Sequence, residues 1–449
     1  MDRRAFLSMA MIATCSILAG CTSSTDKAIE HFDRGEEYRQ DGQVDLAIEE
    51  YSQAIALDDE YAEAYYNRGL ACALTGDIDL AVRDYNQAIT LNPEYIDAYL
   101  ARGQIHLDIG NLDQAIADLD QAIALDPQFA LAYLYRGMAY AAIGDLDGAI
   151  VDFDQAITLD PQCARAYNAR GHIYYLEGAL ARALSDFDEA IALDPQVALA
   201  YLNRGTAYVA FGDLDLARKD FDQAITLDPQ FAEAYIERGY IYCLQGDPAK
   251  AIADFDEAIA IDPHFIDAYI NRGKAYAEIG DLDRAIVDFD QAIILDPQFP
   301  EAYIYRGYTY YLRGDPDAAI GDYDQAITLD PQNELTFFRR GTAYHDTGDL
   351  ESAIADYSQA IVLDSQFAYA YLNRGKAYSS QGDFNLAIAD YDLAIAIDPQ
   401  LADAYFCRGM TYFLIFEYEM AVLDLERALE LGLDTQKIEI AEDILEELN

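Results

Sequence analysis

Tryptophan is missing from all 449 residues, and basic residues are scarce: 29 Lys and Arg face 81 Asp and Glu, a formal net charge of −52 at pH 7. Such a surface repels polyanions and offers none of the counterion release that drives nucleic-acid binding, so a nucleic-acid partner is excluded. The six cysteines stand singly at 15, 21, 72, 163, 243 and 407 with no C-x-x-C pair, which argues against a disulfide framework and against a thiolate metal site. The five histidines (His31, His106, His172, His264 and His345) are just as scattered, and neither a metal nor a cofactor is called for. Beyond the N-terminus no run is apolar and long enough to span a bilayer. No nucleophile–base pair, phosphate loop or paired-carboxylate pocket stands out from the acids, and the chain reads as a non-enzyme.

What is present is a core-forming composition, 52% hydrophobic with 36 tyrosines, arranged with a strict period. Glycine recurs at 35, 69, 103, 137, 171, 205, 239, 273, 307, 341, 375 and 409, always 34 residues apart. With each unit numbered from seven residues before that glycine, positions 20 and 27 are Ala in all twelve units, from Ala47 to Ala421 and from Ala54 to Ala428. Positions 4 and 11 are Tyr in ten units each, and position 24 is always Tyr, Phe or Leu. This period replaces a two- or three-domain expectation with an all-α solenoid. Gly at position 15 and Asp at 16 end one helix and cap the next, predicting helix A over positions 1–14 and helix B over 17–30. Asp-Pro at 31–32 turns the chain into the next unit. In a hairpin folded at about position 15.5, positions summing to about 31 face each other, so Tyr meets Ala and the position-8 glycine meets the aromatic at 24.

These rows resemble the tetratricopeptide repeat over residues 28–435, although no Trp stands at position 4 and Arg replaces Leu at position 7. The resemblance implies a right-handed superhelical solenoid of about twelve helix-turn-helix units. It also implies a concave groove lined by the A helices, and peptide or protein binding without catalysis. Residues 436–449 place Ile438, Ala441, Leu445 and Leu448 on one stripe, predicting a capping helix.

The first residues, MDRRAFLSMAMIATCSILAGC, join an arginine pair to a short apolar run. Leu18-Ala19-Gly20-Cys21 resembles the bacterial lipobox, which makes 1–20 a signal peptide and 21–27 a lipidated Cys21 with a short tether. Arg3-Arg4-Ala5-Phe6-Leu7 is similar to the core of a twin-arginine signal, and twin-arginine and general secretory export both stay open. Either route puts the chain on the extracytoplasmic face of a cell or outer membrane, held by acyl chains such as palmitate.

An arginine at position 7 and an acid at position 23 co-occur in all twelve units, as in Arg204 with Asp220 and Arg272 with Asp288. The facing rule predicts structural ion pairs between helices A and B, while acids at position 25 are expected to be solvated. On the A helix, positions 2, 5, 9, 12 and 13 are expected to face the groove. Position 5 is apolar or aromatic in eleven units, which suits packing; positions 9 and 12 vary, as either a specific ligand or neutral drift would produce. The expected peptide-binding groove is Tyr240, Lys274, Tyr308, Tyr311, Phe338 and His345, taking an aromatic and aliphatic segment of a protein partner. The function expected is a membrane-anchored interaction scaffold. The alternatives are a non-catalytic assembly or transport subunit of an envelope complex and a cation- or cell-wall-binding surface protein.

Overall fold

The computed structural model describes residues 24–448. Cys21 and the expected signal peptide, residues 1–20, lie outside the described residues. Twenty-five helices and no strand are formed among the described residues. They run as twelve A–B hairpins, from α1 (Ser24–Gln40) and α2 (Val44–Leu57) to α23 (Ala402–Leu414) and α24 (Tyr418–Leu431), followed by α25 (Thr435–Leu448). In the second repeat, α3 (Ala62–Thr75) and α4 (Ile78–Leu91) cover positions 1–14 and 17–30.

Local chemistry explains those bounds. Glycine takes the left-handed conformation after eleven A helices, with φ between 72° and 91° from Gly42 to Gly382. The twelfth hairpin has Phe416 there instead, at φ 68°. Asp at position 16 then caps helix B: the Asp77, Asp145, Asp213 and Asp281 carboxylates each accept from the N–H three residues on. The acid at position 31 does something different. It sits just past helix B, and its carboxylate accepts from the N–H two residues on, as from Gln128 to Asp126 at 2.9 Å, closing an Asx turn over the Pro.

Residues 24–27, expected as tether, are helical in α1. Ser24 Oγ donates to the Leu57 carbonyl at 2.6 Å, and Asp26 lies in the first turn, where the helix dipole favours an acid. At the other end, α25 covers the last hairpin with Ala441 and Ile444 buried and Leu445 and Leu448 packed beside them. Ile444 takes the inward place expected of Ile438.

The chain forms two compact units, one up to Leu227 and one from Asp228. Within each, every hairpin closes on fully buried alanines at positions 20 and 27 and a buried aromatic or Leu at 24. Glycine at position 8 is required by proximity: a Cβ on Gly205 would lie 2.5 Å from Phe221 Cε1, and one on Gly239 2.6 Å from Phe255 Cε1.

Candidate binding groove

Each position-7 arginine is fixed before any groove is built. Arg204 Nε and Nη2 donate to Asp220 Oδ2 and Oδ1, both at 2.7 Å; Arg272 makes the same fork to Asp288 at 2.9 and 2.6 Å. From the second repeat on the acids are buried, and the ring at position 4, joined in several repeats by the tyrosine at 11, covers the guanidinium; Arg136, for example, lies 5.5 Å from the Tyr133 ring centre and 5.8 Å from Tyr140. Burial pushes the Asp288, Asp322 and Asp356 carboxyls up from the ordinary range against the pull of their arginines, which themselves are held above theirs by the hydrogen bonds.

The position-25 acids, expected to be solvated, are the second anchor of this ladder. Arg204 Nη1 donates to Asp188 of the preceding repeat at 2.7 Å, and Arg272 Nη1 to Asp256 at 2.5 Å; Ser52 and Ser358 take the same place for Arg68 and Arg374. The acid stays about half exposed, but its bond ties one repeat to the next. The ladder therefore uses its arginines for cohesion and leaves the groove to other cations.

The groove row itself lies one place from where it was expected. Position 5 is buried between neighbouring A helices, as at Leu134, Ile236, Ile270, Ile304 and Leu372. Positions 2 and 13 are exposed in nearly every repeat, with position 9 beside them at His172, Tyr240, Lys274 and Tyr308; position 6 borders this stripe half-buried in most repeats and is buried at Tyr135. Phe338, at position 5, is accordingly a packing residue. Its ring lies 4.9 Å from Phe367 and 5.8 Å from Tyr357, both of its own repeat, and packs half-buried on the cluster of Ala353, Tyr357 and Ala377 that reaches the next one.

In the second compact unit the stripe opens into a cavity of about 320 Å³. It is lined by Lys274 and Glu278 of α15 (Ile266–Glu278), Tyr305, Tyr308 and Leu312 of α17 (Pro300–Leu312), and Arg339 of α19 (Glu334–Thr347), with Phe289 at its floor. Lys274 Nζ sits 4.9 Å from the Tyr305 ring centre and the Arg339 guanidinium 4.8 Å from that of Tyr308. Neither cation makes an ion pair with a described residue. A cation parked on a tyrosine face in a strongly acidic chain stays available to an incoming carboxylate, and the rings beside it supply apolar contact area.

Of the residues expected here, Lys274 and Tyr308 share the cavity. Tyr311 donates to Asp346 at 2.5 Å, and burial together with that bond pushes its hydroxyl up to about 12. His345 lies against the same Asp346, with Nδ1 3.5 Å from the carboxylate and Nε2 buried without a partner. Tyr240, in the seventh repeat, is exposed outside this cavity. Tyr305 and Arg339 were missed because position 6 was assigned to no face; its variability, from Asp33 through Ala169 to Arg339, was the available signal.

Family models described as TPR repeat match residues 35–76, 171–212, 341–382 and 375–415. Models described as tetratricopeptide repeat match 100–162, 202–264, 270–334 and 62–95. No curated protein matches the chain. Among solved structures, the APC/C hetero-tetramer Cut9–Hcn1 is similar at 15% identity and TM-score 0.49, over 92% of this chain and 95% of that one. A tetratricopeptide repeat protein from Parabacteroides merdae is 21% identical at TM-score 0.45, over 56% and 98%. MamA is 30% identical at TM-score 0.33, over 36% of this chain and 95% of its own.

Proposed function

The chain belongs to the tetratricopeptide repeat family, and from that premise we propose that it is a non-catalytic scaffold which captures a partner segment in the groove of repeats 8 to 10. One observation carries the reading. Lys274 and Arg339 are held on the tyrosine faces of one cavity and neither forms an ion pair with a described carboxylate, although Glu278 lines the same cavity. The segment that fits has aromatic or aliphatic side chains for the Tyr305–Tyr308 wall and at least one acid for the cations. The cation-binding alternative is weakened, since two of the densest acidic rows, positions 23 and 25, are engaged by arginines.

The reading includes an anchor at Cys21, supported by the Leu-Ala-Gly-Cys match and the apolar run before it. A lipid there would hold the scaffold on the extracytoplasmic face, where it would assemble proteins of the envelope. Two measurements test the two parts separately. Mass spectrometry of the native protein should find an acylated N-terminal cysteine; an intact Met1 removes the anchor and leaves the scaffold. Affinity capture from detergent-solubilised membranes should lose its specific partner with Tyr308→Ala and Arg339→Ala combined, at an unchanged melting curve. Undiminished capture by that variant would place binding outside this groove.

A further inference from the structure

A second cavity, of about 300 Å³, opens in the first compact unit. Met138 of α7 (Ala130–Ile143), Arg165, Asn168 and Ala169 of α9 (Ala164–Leu176), Val197, and Leu199 of α11 (Ala198–Phe211) line it. The repeat pattern breaks in its lining. Position 5 places an apolar or aromatic side chain at the seam between A helices in eleven repeats, but in the fifth it is Asn168. The Asn168 side-chain oxygen accepts from Asn203 Nδ2 at 3.1 Å. The seam is thus held by a pair of short amides, and Ala169 at position 6 supplies no bulk to fill the space beside them.

The charge of this face departs from the rest of the chain as well. Helices α7, α9 and α11 hold no Asp or Glu, although the chain has 81. Arg165 stands at position 2, which is acidic in six other repeats and apolar or Tyr in the remaining five. Its side chain lies 5.3 Å from the Tyr135 ring centre and donates to the Tyr135 hydroxyl at 3.2 Å. It makes no ion pair with a described residue, unlike Arg170 on the same helix, which meets both Asp186 and Asp154. An apolar cavity with one uncompensated cation at its rim is complementary to an apolar side chain that has a carboxylate beside it.

We propose that this cavity is a peptide subsite, taking one aliphatic or aromatic side chain of a partner segment whose neighbouring Asp or Glu pairs with Arg165. The proposal rests on the reading of the chain as a peptide-binding scaffold, but on no residue of the groove in repeats 8 to 10.

Met138 supplies the readout. In the full chain carrying 13C-methyl methionine, its signal is identified with Met138→Leu and followed during titration with two probes, acetyl-Ser-Glu-Leu-Ser-amide and acetyl-Ser-Lys-Leu-Ser-amide. The Met138 signal is expected to move with the Glu-Leu peptide below about 10 mM, and to respond roughly tenfold more weakly to the Lys-Leu peptide. Asn168→Leu, which restores the apolar seam, should abolish the shift at an equal or higher melting midpoint. Arg165→Ala, at an exposed position, should make the two peptides equivalent and keeps the test open if Asn168→Leu does not fold. A motionless Met138 signal, or equal responses to the two peptides in the native chain, would overturn the proposal. If the Tyr308–Arg339 variant still loses its partner in that case, this subsite fails alone; if neither groove responds, the scaffold reading fails with it.

Discussion

Repeats 4 to 6 and repeats 8 to 10 are built on the same rows and differ on one face. Both close on Ala at positions 20 and 27, a large side chain at 24, Gly at 8 and an Arg–Asp fork from 7 to 23. On the open stripe they part. α7, α9 and α11 carry no acid and one unpaired arginine, whereas α15, α17 and α19 carry Asp267, Glu278, Glu301, Glu334 and Asp346 together with Lys274 and Arg339. Rows enclosed by a partner helix are held by sterics and desolvation and repeat without change. Rows facing solvent are free to differ, so cohesion and recognition occupy different positions of one helix.

The sharpest way to break that separation is to attack the ladder in each region. Asp220→Ala and Asp288→Ala both leave a largely covered guanidinium without its buried carboxylate, and each should cost about 3 kcal/mol of local stability. Hydrogen exchange resolved by repeat is the right measurement, because a repeat array opens locally and one melting midpoint averages over it. Equal losses in the two regions support a ladder indifferent to groove chemistry. A loss confined to one region would mean that the groove contributes to cohesion there.

A smaller effect separates the rows within repeats 9 and 10. Phe338→Ala removes a half-buried ring packed on Tyr357 and Phe367 and should cost roughly 2 kcal/mol, less than the ladder changes. Tyr308→Ala, on the open stripe of the preceding repeat, should cost about 0.5 kcal/mol or less while weakening partner capture. If Tyr308→Ala destabilises as much as Phe338→Ala, the stripe is part of the core and the distinction between the rows collapses.

The sequence made much of this legible, and the misses have a common origin. Helix bounds followed from local signals, Gly at 15, Asp at 16 and Pro at 32, each acting through its own backbone. The Arg–Asp fork followed from the height rule of a single hairpin. That rule has no information about the next hairpin, so the bond from Arg204 back to Asp188 went unread, although Arg204 lies 16 residues from both Asp188 and Asp220. The same gap displaced the groove by one row: whether position 5 or 6 faces outward depends on where the neighbouring A helix sits. Phe338 was therefore assigned to the surface and Arg339, next to it, was passed over. Asn168 was the visible exception at position 5, but the cavity it lines takes shape only with the packed neighbours in place.

The smallest expected effect concerns acid, and it sets the first repeat against the ladder of the second compact unit. In the first repeat, burial pushes Glu36 and Glu50 up, but hydrogen bonds from Arg39 and Tyr51 to Glu36, and from Arg34 and His31 to Glu50, outweigh it and hold both below the ordinary range. A carboxyl lower in the folded than in the unfolded chain contributes stability that is complete above the unfolded value, near ~4.3, and is lost as pH falls through the folded one. Asp288, Asp322 and Asp356 have the opposite sign, since burial raises them. Their titration favours the folded state on the acidic side and disfavours it as pH rises through the folded values. Between pH 6 and roughly 3.5, exchange protection in α1 and α2 should therefore fall before protection in α16 (Leu282–Leu295), α18 (Pro316–Leu329) and α20 (Leu350–Leu363). Glu36→Gln should remove part of the early loss and leave the later helices unchanged. Simultaneous opening of both regions, or an earlier loss in α16, α18 and α20, would show that these carboxyls do not govern the response, and that acid acts on the chain through its overall charge.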